Sequence, residues 1–283
     1  MRTRFLDEIR REKVRGARWC LLKAIEGLEQ MCREGFIDSV DRIALANEIR
    51  NTIPSMAPLR LLALVVERSS DICKAISFLR RFAENSMEAI ARELDKLLYG
   101  SITVISYSST LLEALPRCRR VDSVYVLESR PGGEGVAFAK ELRSRGIDVK
   151  IVPDSMARKA LEHSTAAVFG ADAIDYRCRI LNKVGSSTLA AIAKYLGLDV
   201  ITVLDATKIL IDTECYELEN LVMRSYCYDE STCEELPVFE CVDPRDVTLI
   251  VTDGGAFPPV PDLVRRWMIE FLRSLGLEIQ ITS

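Results

Sequence analysis

The segment VFGADAIDYRCRILNKVGSSTLAAIA, Val168–Ala193, decides the fold because it joins a strand signal to a helix signal across polar turns. The apolar run Ala166–Phe169 predicts a short buried strand, which stops at a glycine and is followed by the acid Asp172. A second short run leads to the polar pair Asn182-Lys183, and a glycine and two serines then precede the helical run Leu189–Leu196. A strand, a polar loop and a helix in this order are typical of one unit of an α/β sheet.

The same segment carries the first functional signal. Ligands of open α/β sheets lie outside the carboxyl ends of the strands, and a helix N-terminus presents free N–H groups to an anion. The acid, the amide, the ammonium group and the Ser-capped helix start therefore predict one wall of a pocket for a small phosphorylated or otherwise anionic ligand. A strand, a turn and a capped helix without any ligand explain the spacing equally well.

Strand and helix signals alternate through the rest of the C-terminal part. Short runs rich in Val, Ile and aromatic residues predict buried strands at Ile102–Tyr107, Ser123–Leu127, Val149–Val152, Ala166–Phe169, Val200–Leu204, Val238–Val242 and Val247–Val251. Helical runs separate the first five of these, at Thr110–Arg117, Gly135–Arg145, Ser155–Glu162 and Ser187–Leu196. This alternation predicts an α/β fold with a Rossmann-like, doubly wound and mostly parallel sheet.

The first hundred residues show helical periodicity only. The predicted helices are residues 3–35, Asp38–Arg50, Leu59–Val66 and a long helix from Ser69 or Ser70 to about Leu98. We therefore predict an N-terminal helical bundle, residues 1–98, followed by the Rossmann-like domain, residues 99–283. Gly16 interrupts the first helix, where a glycine costs about 1 kcal/mol relative to alanine, so a helix break or the close approach of a ligand is expected there.

Composition and charge exclude several functions. No apolar run reaches the ~18–20 residues that a membrane span needs, and the charged N-terminus lacks a signal peptide's apolar segment. We therefore expect a cytoplasmic protein that does not bind membranes. Residues 1–98 carry 18 Lys/Arg against 15 Asp/Glu, and the remainder carries 20 against 27. Neither part has a dense basic patch, so direct nucleic-acid binding is not predicted.

Cysteine and histidine usage limits the chemistry further. The nine cysteines include no C-x-x-C pair, and the four in Cys215–Cys241 match no zinc spacing, so a disulfide in this segment is expected rather than a metal. The single histidine, His163, removes most Ser-His-Asp and Cys-His schemes. The glycine pattern of nicotinamide-binding loops is missing, so no cofactor is predicted. The acidic segment Asp212–Leu236, with its tyrosines and cysteines, is interpreted as an irregular excursion that forms a lid or an interface.

Three further clusters carry residues able to bind an anion. Arg15-Gly16-Ala17 places a guanidinium beside a flexible backbone, and Arg130 follows the second predicted strand. An arginine at a strand end can bind phosphate through two parallel hydrogen bonds, although a solvated surface charge is the alternative for each. The run Ser106–Ser109 ends the first strand, where its hydroxyl groups either cap the next helix or touch a ligand.

Five blocks of the sequence resemble one known superfamily. They are Arg15–Ala17, Glu128–Gly135, Gly170–Ile174, Asn182–Ala190 and Val247–Pro259. This superfamily joins the α, β and δ regulatory subunits of translation initiation factor 2B to isomerases of methylthioribose 1-phosphate and ribose 1,5-bisphosphate. The resemblance implies an N-terminal helical domain, a Rossmann-like C-terminal domain, and assembly into homodimers or higher homo-oligomers.

The resemblance also implies roles for individual residues. The isomerases rely on a cysteine after the first strand and on an aspartate in the block that here reads GADAI, and the two positions correspond to Ser106 and Asp172. A thiol ionises near pH 8.5, whereas a serine hydroxyl needs an adjacent base. The ligand-binding positions implied by the resemblance are Arg15, Gly16, Ala17, Ser108, Ser109, Arg130, Asn182 and Lys183.

Two functions follow from this set of residues. The first is a non-catalytic regulatory protein that binds a phosphosugar or a nucleotide and contacts initiation factor 2, because Ser106 replaces the thiol. The second is an aldose–ketose isomerase acting on ribose 1,5-bisphosphate or methylthioribose 1-phosphate, with Asp172 as the acid/base. The run SYSST, Ser106–Thr110, resembles archaeal initiation factor 2B-like proteins more than the isomerases, which favours the first.

Overall fold

A computed structural model of the protein describes residues 4–12 and 16–279. Up to Leu97 the described chain is helical, with five α-helices: α1 Arg4–Arg11, α2 Ala17–Arg33, α3 Arg42–Arg50, α4 Ala57–Arg68 and α5 Ile72–Leu97. The single helix predicted for residues 3–35 is therefore wrong, because α1 ends at Arg11 and Gly16 is the N-cap of α2. The apolar periodicity continues across this break, so the pattern alone does not reveal it.

Acidic side chains start two of these helices. The Asp41 carboxylate accepts hydrogen bonds from the second and third N–H groups of α3, and Asp71 accepts one from Lys74 N in α5. The predicted cap at Ser69 or Ser70 is thus replaced by Asp71, a residue type equally suited to the position. A disulfide between Cys32 and Cys73, which the sequence reasoning missed, ties the end of α2 to the start of α5.

The rest of the described chain alternates strands and helices. The strands are β1 Gly100–Ile105, β2 Val121–Leu127, β3 Val149–Val152, β4 Ala166–Gly170, β5 Ala173–Asp175, β6 Ile180–Lys183, β7 Asp199–Val203, β8 Ile209–Leu210, β9 Met223–Cys227, β10 Cys233–Pro237, β11 Phe239–Val242, β12 Leu249–Thr252 and β13 Gly255–Phe257. The helices are α6 Ser109–Ala114, α7 Glu134–Ser144, α8 Ala157–Leu161, α9 Ser186–Tyr195 and α10 Pro261–Ser274.

Seven strands form the main sheet, in the order β13-β12-β7-β4-β1-β2-β3. All neighbours are parallel except β13, which runs antiparallel to β12. The strand order reverses direction at β1, which lies between β2 and β4, with Val104 opposite Val126 on one side and Val168 on the other. In doubly wound sheets such a reversal opens a crevice at the carboxyl ends of the two strands.

Alternate residues of the central strands enter two different cores. Val104 and Val168 pack with α5, α6 and α7 on one face of the sheet. Ile105 and Phe169 pack with α8, α9 and the N-terminal helices on the other face. The predicted fold class, an α/β doubly wound and mostly parallel sheet behind a helical bundle, is thereby confirmed. The second core is continuous between helices and sheet, and the division into domains at residue 98 stays a prediction.

One predicted strand belongs to a different sheet. The run Val238–Val242 forms β11, which pairs antiparallel with β6 in a separate four-stranded sheet of order β11-β6-β5-β8. An apolar run indicates burial but not the pairing partner, and this pairing joins Phe239 to Lys183 across more than fifty residues. The small sheet therefore holds the end of β6, where the predicted site residues Asn182 and Lys183 lie.

The acidic segment before β11 is a disulfide-closed excursion. It contains the short helical turn Cys215–Glu217 and the hairpin β9–β10, in which Cys227 lies opposite Cys233 and is bonded to it. A second disulfide joins Cys215 to Cys241. The expectation of a disulfide in Cys215–Cys241 is thus confirmed. Among the described helices, none combines the length and the apolar character that a membrane crossing requires.

Candidate ligand-binding site

The candidate site lies where β1, β2 and β4 end. Ser106 follows β1, Ser129 follows β2 and Asp172 follows β4. Because these strands are parallel neighbours, their carboxyl ends meet at one edge of the sheet. The crevice opened by the strand order lies at this edge. The polar residues that were predicted to follow the strands therefore lie together there.

Ser106 is held in an unusual backbone conformation. Its φ is 70°, in the left-handed region that non-glycine residues rarely occupy, and Ser129 has a φ of 68°. Ser106 N donates a hydrogen bond of 2.8 Å to Ser129 Oγ, which in turn donates to the Leu127 carbonyl. These bonds fix the ends of β1 and β2 to each other and hold the Ser106 side chain at the crevice.

Ser106, Glu134 and Lys183 form a chain of polar contacts. Ser106 Oγ donates to Glu134 Oε1 at 3.4 Å, and Lys183 Nζ lies 3.1 Å from the same oxygen. Lys183, at the end of β6, is only 1% exposed. Within residues 4–12 and 16–279, neither Lys183 Nζ nor Glu134 Oε2 has a partner in hydrogen-bonding geometry, although both atoms are buried. Since buried polar atoms without partners are costly, this arrangement suits a polar ligand that completes them.

Asp172 lies close to the same charges. Although part of the residue reaches the surface, its carboxyl is enclosed closely enough that burial raises its pKa above the ordinary value. The ammonium groups of Lys208 and Lys183 oppose this rise, and the Glu134 carboxylate adds to it. Lys208 Nζ also donates a hydrogen bond to the carbonyl of Ala171. A carboxyl group held among two cations and one anion can accept or donate a proton, or bind a sugar hydroxyl.

Asn182 positions its neighbour through a serine. Asn182 Nδ2 donates to Ser186 Oγ at 2.8 Å, and this hydroxyl donates to the Lys183 carbonyl at 2.7 Å. The predicted Ser-capped start of the next helix is wrong, because Gly185, with a φ of 98°, occupies the N-cap of α9 without a side-chain cap. One N–H group at this helix start, that of Ser187, already donates to the carboxylate of Glu240.

The remaining predicted residues that follow β1 and β2 are Arg130, Ser108 and Ser109. Arg130 is exposed and pairs with Glu128 at 3.1 Å, while its N–H donates to Asp154 at 2.7 Å. Ser108 is buried and caps α6 by accepting a hydrogen bond from Leu111 N at 3.2 Å. Ser109 is the first residue of α6. The sequence allowed either a helix cap or a ligand contact for this serine, and Ser108 is a helix cap.

The start of α2 lies beside the end of α6. Gly16 is the exposed N-cap of α2, Ala17 is its first residue, and no side chain caps the helix. Arg18 reaches Glu113 of α6 at 3.5 Å, which places this helix start beside the helix that follows β1. Arg15 lies outside the described residues.

The structure adds charged residues that the sequence reasoning did not select. Glu134 is the first residue of α7, and only its position after a glycine-rich loop signals a role. Asp205 and Asp253 follow β7 and β12 along the same edge of the sheet, and Asp253 Oδ1 accepts a hydrogen bond from Ala206 N. The ring of His163 stacks on Tyr125 in β2, with 6.3 Å between centroids.

Asp253 makes the stability of the fold depend on pH. Burial, and then the negative charge of Asp205, raise the pKa of Asp253 from 3.8 to about 6. Between these values the unfolded chain releases the proton and the folded protein keeps it, so the free energy of unfolding falls as pH rises. Asp253→Asn is therefore expected to stabilise the fold by about 1–2 kcal/mol near pH 8 and by much less near pH 4. Urea unfolding at both values measures this, with exposed Asp148→Asn as the control; an equal gain at both values contradicts the assignment.

Comparisons with known proteins agree with this architecture. The sequence model of the Initiation factor 2 subunit family matches residues 13–259. A translation initiation factor eIF-2B subunit 2-like protein of Pyrococcus furiosus is 32% identical over 198 residues, which cover 66% of this chain and 71% of that protein. A ribose 1,5-bisphosphate isomerase of Archaeoglobus fulgidus is 29% identical over 281 residues, covering 89% and 88%. The crystal structure of translation initiation factor eIF-2B from Pyrococcus horikoshii OT3 superposes with a TM-score of 0.78 at 25% identity, covering 92% of this chain and 98% of that one.

Proposed function

Because the chain belongs to the Initiation factor 2 subunit family, we propose that it is a regulatory protein that binds a phosphosugar or a nucleotide without converting it. The ligand occupies the crevice between the ends of β1 and β4. Lys183 and Asp172 contact it inside, and Arg130 and Ser109 contact it from the rim. We further propose that the protein acts as a homodimer or higher homo-oligomer and contacts initiation factor 2.

The observation that carries this proposal is the environment of Ser106. The resemblance places Ser106 where the isomerases have a thiol, and its hydroxyl has Glu134 as an acceptor. The same Glu134 oxygen lies 3.1 Å from the buried ammonium of Lys183, so it is already engaged by a cation rather than free to take the proton of the hydroxyl. A serine hydroxyl without an effective base does not ionise at neutral pH. Half of the catalytic pair is therefore inactive, while the residues that bind a ligand are kept.

The alternative is an aldose–ketose isomerase that uses Asp172 as the acid/base. One observation favours it, namely that burial raises the pKa of the Asp172 carboxyl while two ammonium groups lie close by. A carboxyl whose pKa is raised in this way is better suited to exchange a proton with the sugar than an ordinary carboxylate. Conversion of ribose 1,5-bisphosphate or methylthioribose 1-phosphate at an ordinary enzymatic rate by the unaltered protein decides for this alternative.

The two proposed functions make the most different predictions for the activity of a Ser106→Cys variant. We expect the unaltered protein to form no ketose, and Ser106→Cys to form it at least about tenfold faster than the background, because a thiol near cations ionises far more readily than a hydroxyl. The measurement is ketose formation from ribose 1,5-bisphosphate by purified protein. Ser144→Cys, which places a thiol on the exposed face of α7, is the matched control.

Either of two results contradicts the proposal. If the unaltered protein and Ser106→Cys convert the sugar equally fast, the hydroxyl is not the limiting group. If neither protein shows a melting shift with ribose 1,5-bisphosphate or with AMP, the crevice does not bind the proposed class of ligand.

A further inference from the structure

The hairpin β9–β10 approaches the glycine-rich loop that precedes α7. The Tyr226 ring centroid lies 5.9 Å from Cζ of Arg130. Arg224 lies two residues before Tyr226 in β9. Its Nη1 lies 2.3 Å, and Glu134 Oε2 lies 2.1 Å, from the position that a Cβ on Gly132 would occupy. Both charged groups can come this close only because residue 132 has no side chain. The hairpin therefore brings a guanidinium to the carboxylate that contacts Ser106 and Lys183.

These charged groups are incompletely paired. Over the described residues, Arg224 has no hydrogen bond or ion pair through its guanidinium, and Lys183 Nζ and Glu134 Oε2 have no hydrogen-bond partner. Lys183 is almost fully buried, so water does not readily satisfy its three donors. With the neighbouring Asp172 and Lys208 counted, three cations face two carboxylates, which leaves this cluster with a positive charge. Arg224 is exposed and hydrated, so an anion with several acceptor oxygens would replace water there while supplying the missing partner of Lys183.

We propose that Arg224 is a ligand-binding residue, which the hairpin β9–β10 delivers to the crevice to hold a phosphate group together with Lys183. This inference rests on the proposed function and extends it to a residue outside the Rossmann-like sheet. Arg224 offers a planar fork of donors that matches two phosphate oxygens. Lys183 supplies a point charge from the opposite, buried side. Glu134 lies between them and accepts a hydrogen bond from a hydroxyl group of the sugar.

The Cys227–Cys233 disulfide keeps Arg224 in place. In the hairpin, Arg224 lies opposite Leu236 and Cys227 lies opposite Cys233, so the covalent bond closes the same ladder at its turn end. The strands are largely exposed, and a two-stranded hairpin is marginally stable by itself. The disulfide therefore fixes the register that points Arg224 at Gly132, and reduction lowers the affinity for the ligand.

Isothermal titration with ribose 1,5-bisphosphate tests the role of Arg224. Arg224→Gln is expected to raise the Kd about tenfold, because a charge-assisted bond to phosphate is lost at a partly solvated site. Arg224→Lys keeps the charge without the fork, so its Kd should lie between the two. Arg92→Gln removes an exposed arginine of α5 that pairs with Glu88, and it should bind like the unaltered protein.

A double variant that lacks the Cys227–Cys233 disulfide tests, by the same titration, whether the disulfide contributes to ligand binding. Cys227→Ser/Cys233→Ser is expected to raise the Kd about threefold, and its combination with Arg224→Gln should bind no more weakly than Arg224→Gln alone. Such non-additivity is the signature of a disulfide that acts through Arg224. A disulfide that only stabilises the hairpin would change the melting temperature and leave the Kd unchanged.

The outcomes separate this inference from the proposed function. If the unaltered protein binds ribose 1,5-bisphosphate and Arg224→Gln binds equally well, the role of Arg224 is wrong and the proposed function stands. If the unaltered protein releases no heat with the bisphosphate or with AMP, both are wrong. A raised Kd for Arg224→Gln with unchanged control variants supports both.

Discussion

Lys183→Met is expected to weaken the binding of ribose 1,5-bisphosphate by about 100-fold, because a buried ammonium is lost from the wall of the crevice. Lys183 is 1% exposed, and Glu134, at 3.1 Å, is its ion-pair partner. Methionine keeps most of the length and volume of the side chain, so packing at the end of β6 should survive. The loss of affinity therefore reflects the missing charge and its hydrogen bonds. Isothermal titration of the unaltered protein and of Lys183→Met measures it.

The control for Lys183 comes from the same region of the chain. Lys194→Met removes an exposed ammonium from the end of α9 and should leave the Kd unchanged. Thermal unfolding of both variants shows whether the fold is intact, which we expect because Glu134 is a quarter exposed and can turn to water. A Lys183→Met protein that is folded and binds the bisphosphate normally contradicts the position of the site.

Gly135→Ala is expected to destabilise the protein by about 3 kcal/mol, although alanine is the better helix former by about 1 kcal/mol. A Cβ on Gly135 would lie 1.9 Å from the Leu127 carbonyl oxygen and 2.9 Å from Ser129 Oγ. The carbonyl belongs to the end of β2 and cannot move without shifting the strand. Helix α7 must therefore move away, and Glu134 moves with it.

Urea unfolding at neutral pH measures the change in the free energy of unfolding. Ala137→Gly, at an exposed position of the same helix, calibrates the helix propensity and should cost about 1 kcal/mol. If Gly135→Ala stabilises the protein, the packing of α7 against the end of β2 is looser than described. If it destabilises the protein as expected, ligand binding should weaken as well, since Glu134 is displaced.

Much of the fold follows from local patterns. The short Val- and Ile-rich runs place β1, β4 and β7 correctly, because strands buried on both faces are apolar throughout. The pattern fails at β11, an apolar run that pairs with β6 outside the main sheet. It also fails within residues 3–35, where the same periodicity runs through two separate helices. In both cases the missing information is long-range, since a residue's burial does not identify its neighbour.

The sequence predicts those residues of the candidate site that lie at the ends of strands. Ser106, Asp172 and Lys183 end or follow strands, and their side chains are of types that bind anions or exchange protons. Glu134 and Arg224 reach the site because α7 and the hairpin β9–β10 return to it through contacts at Gly132. No spacing of residues in the sequence indicates that these two elements pack against the site. All of the predicted roles stay predictions, both the catalytic ones of Asp172 and Ser106 and the ligand-contacting ones of Arg15, Gly16, Ala17, Ser108, Ser109, Arg130, Asn182 and Lys183.

The most direct test of the central claim is a titration of the unaltered protein with ribose 1,5-bisphosphate, followed by analysis of the recovered sugar. We expect saturable heat of binding and recovery of the aldose bisphosphate without ketose, because Lys183 and Glu134 line the crevice and position 106 carries a hydroxyl in place of a thiol. Binding accompanied by complete conversion to the ketose would contradict the regulatory function and identify the protein as an isomerase.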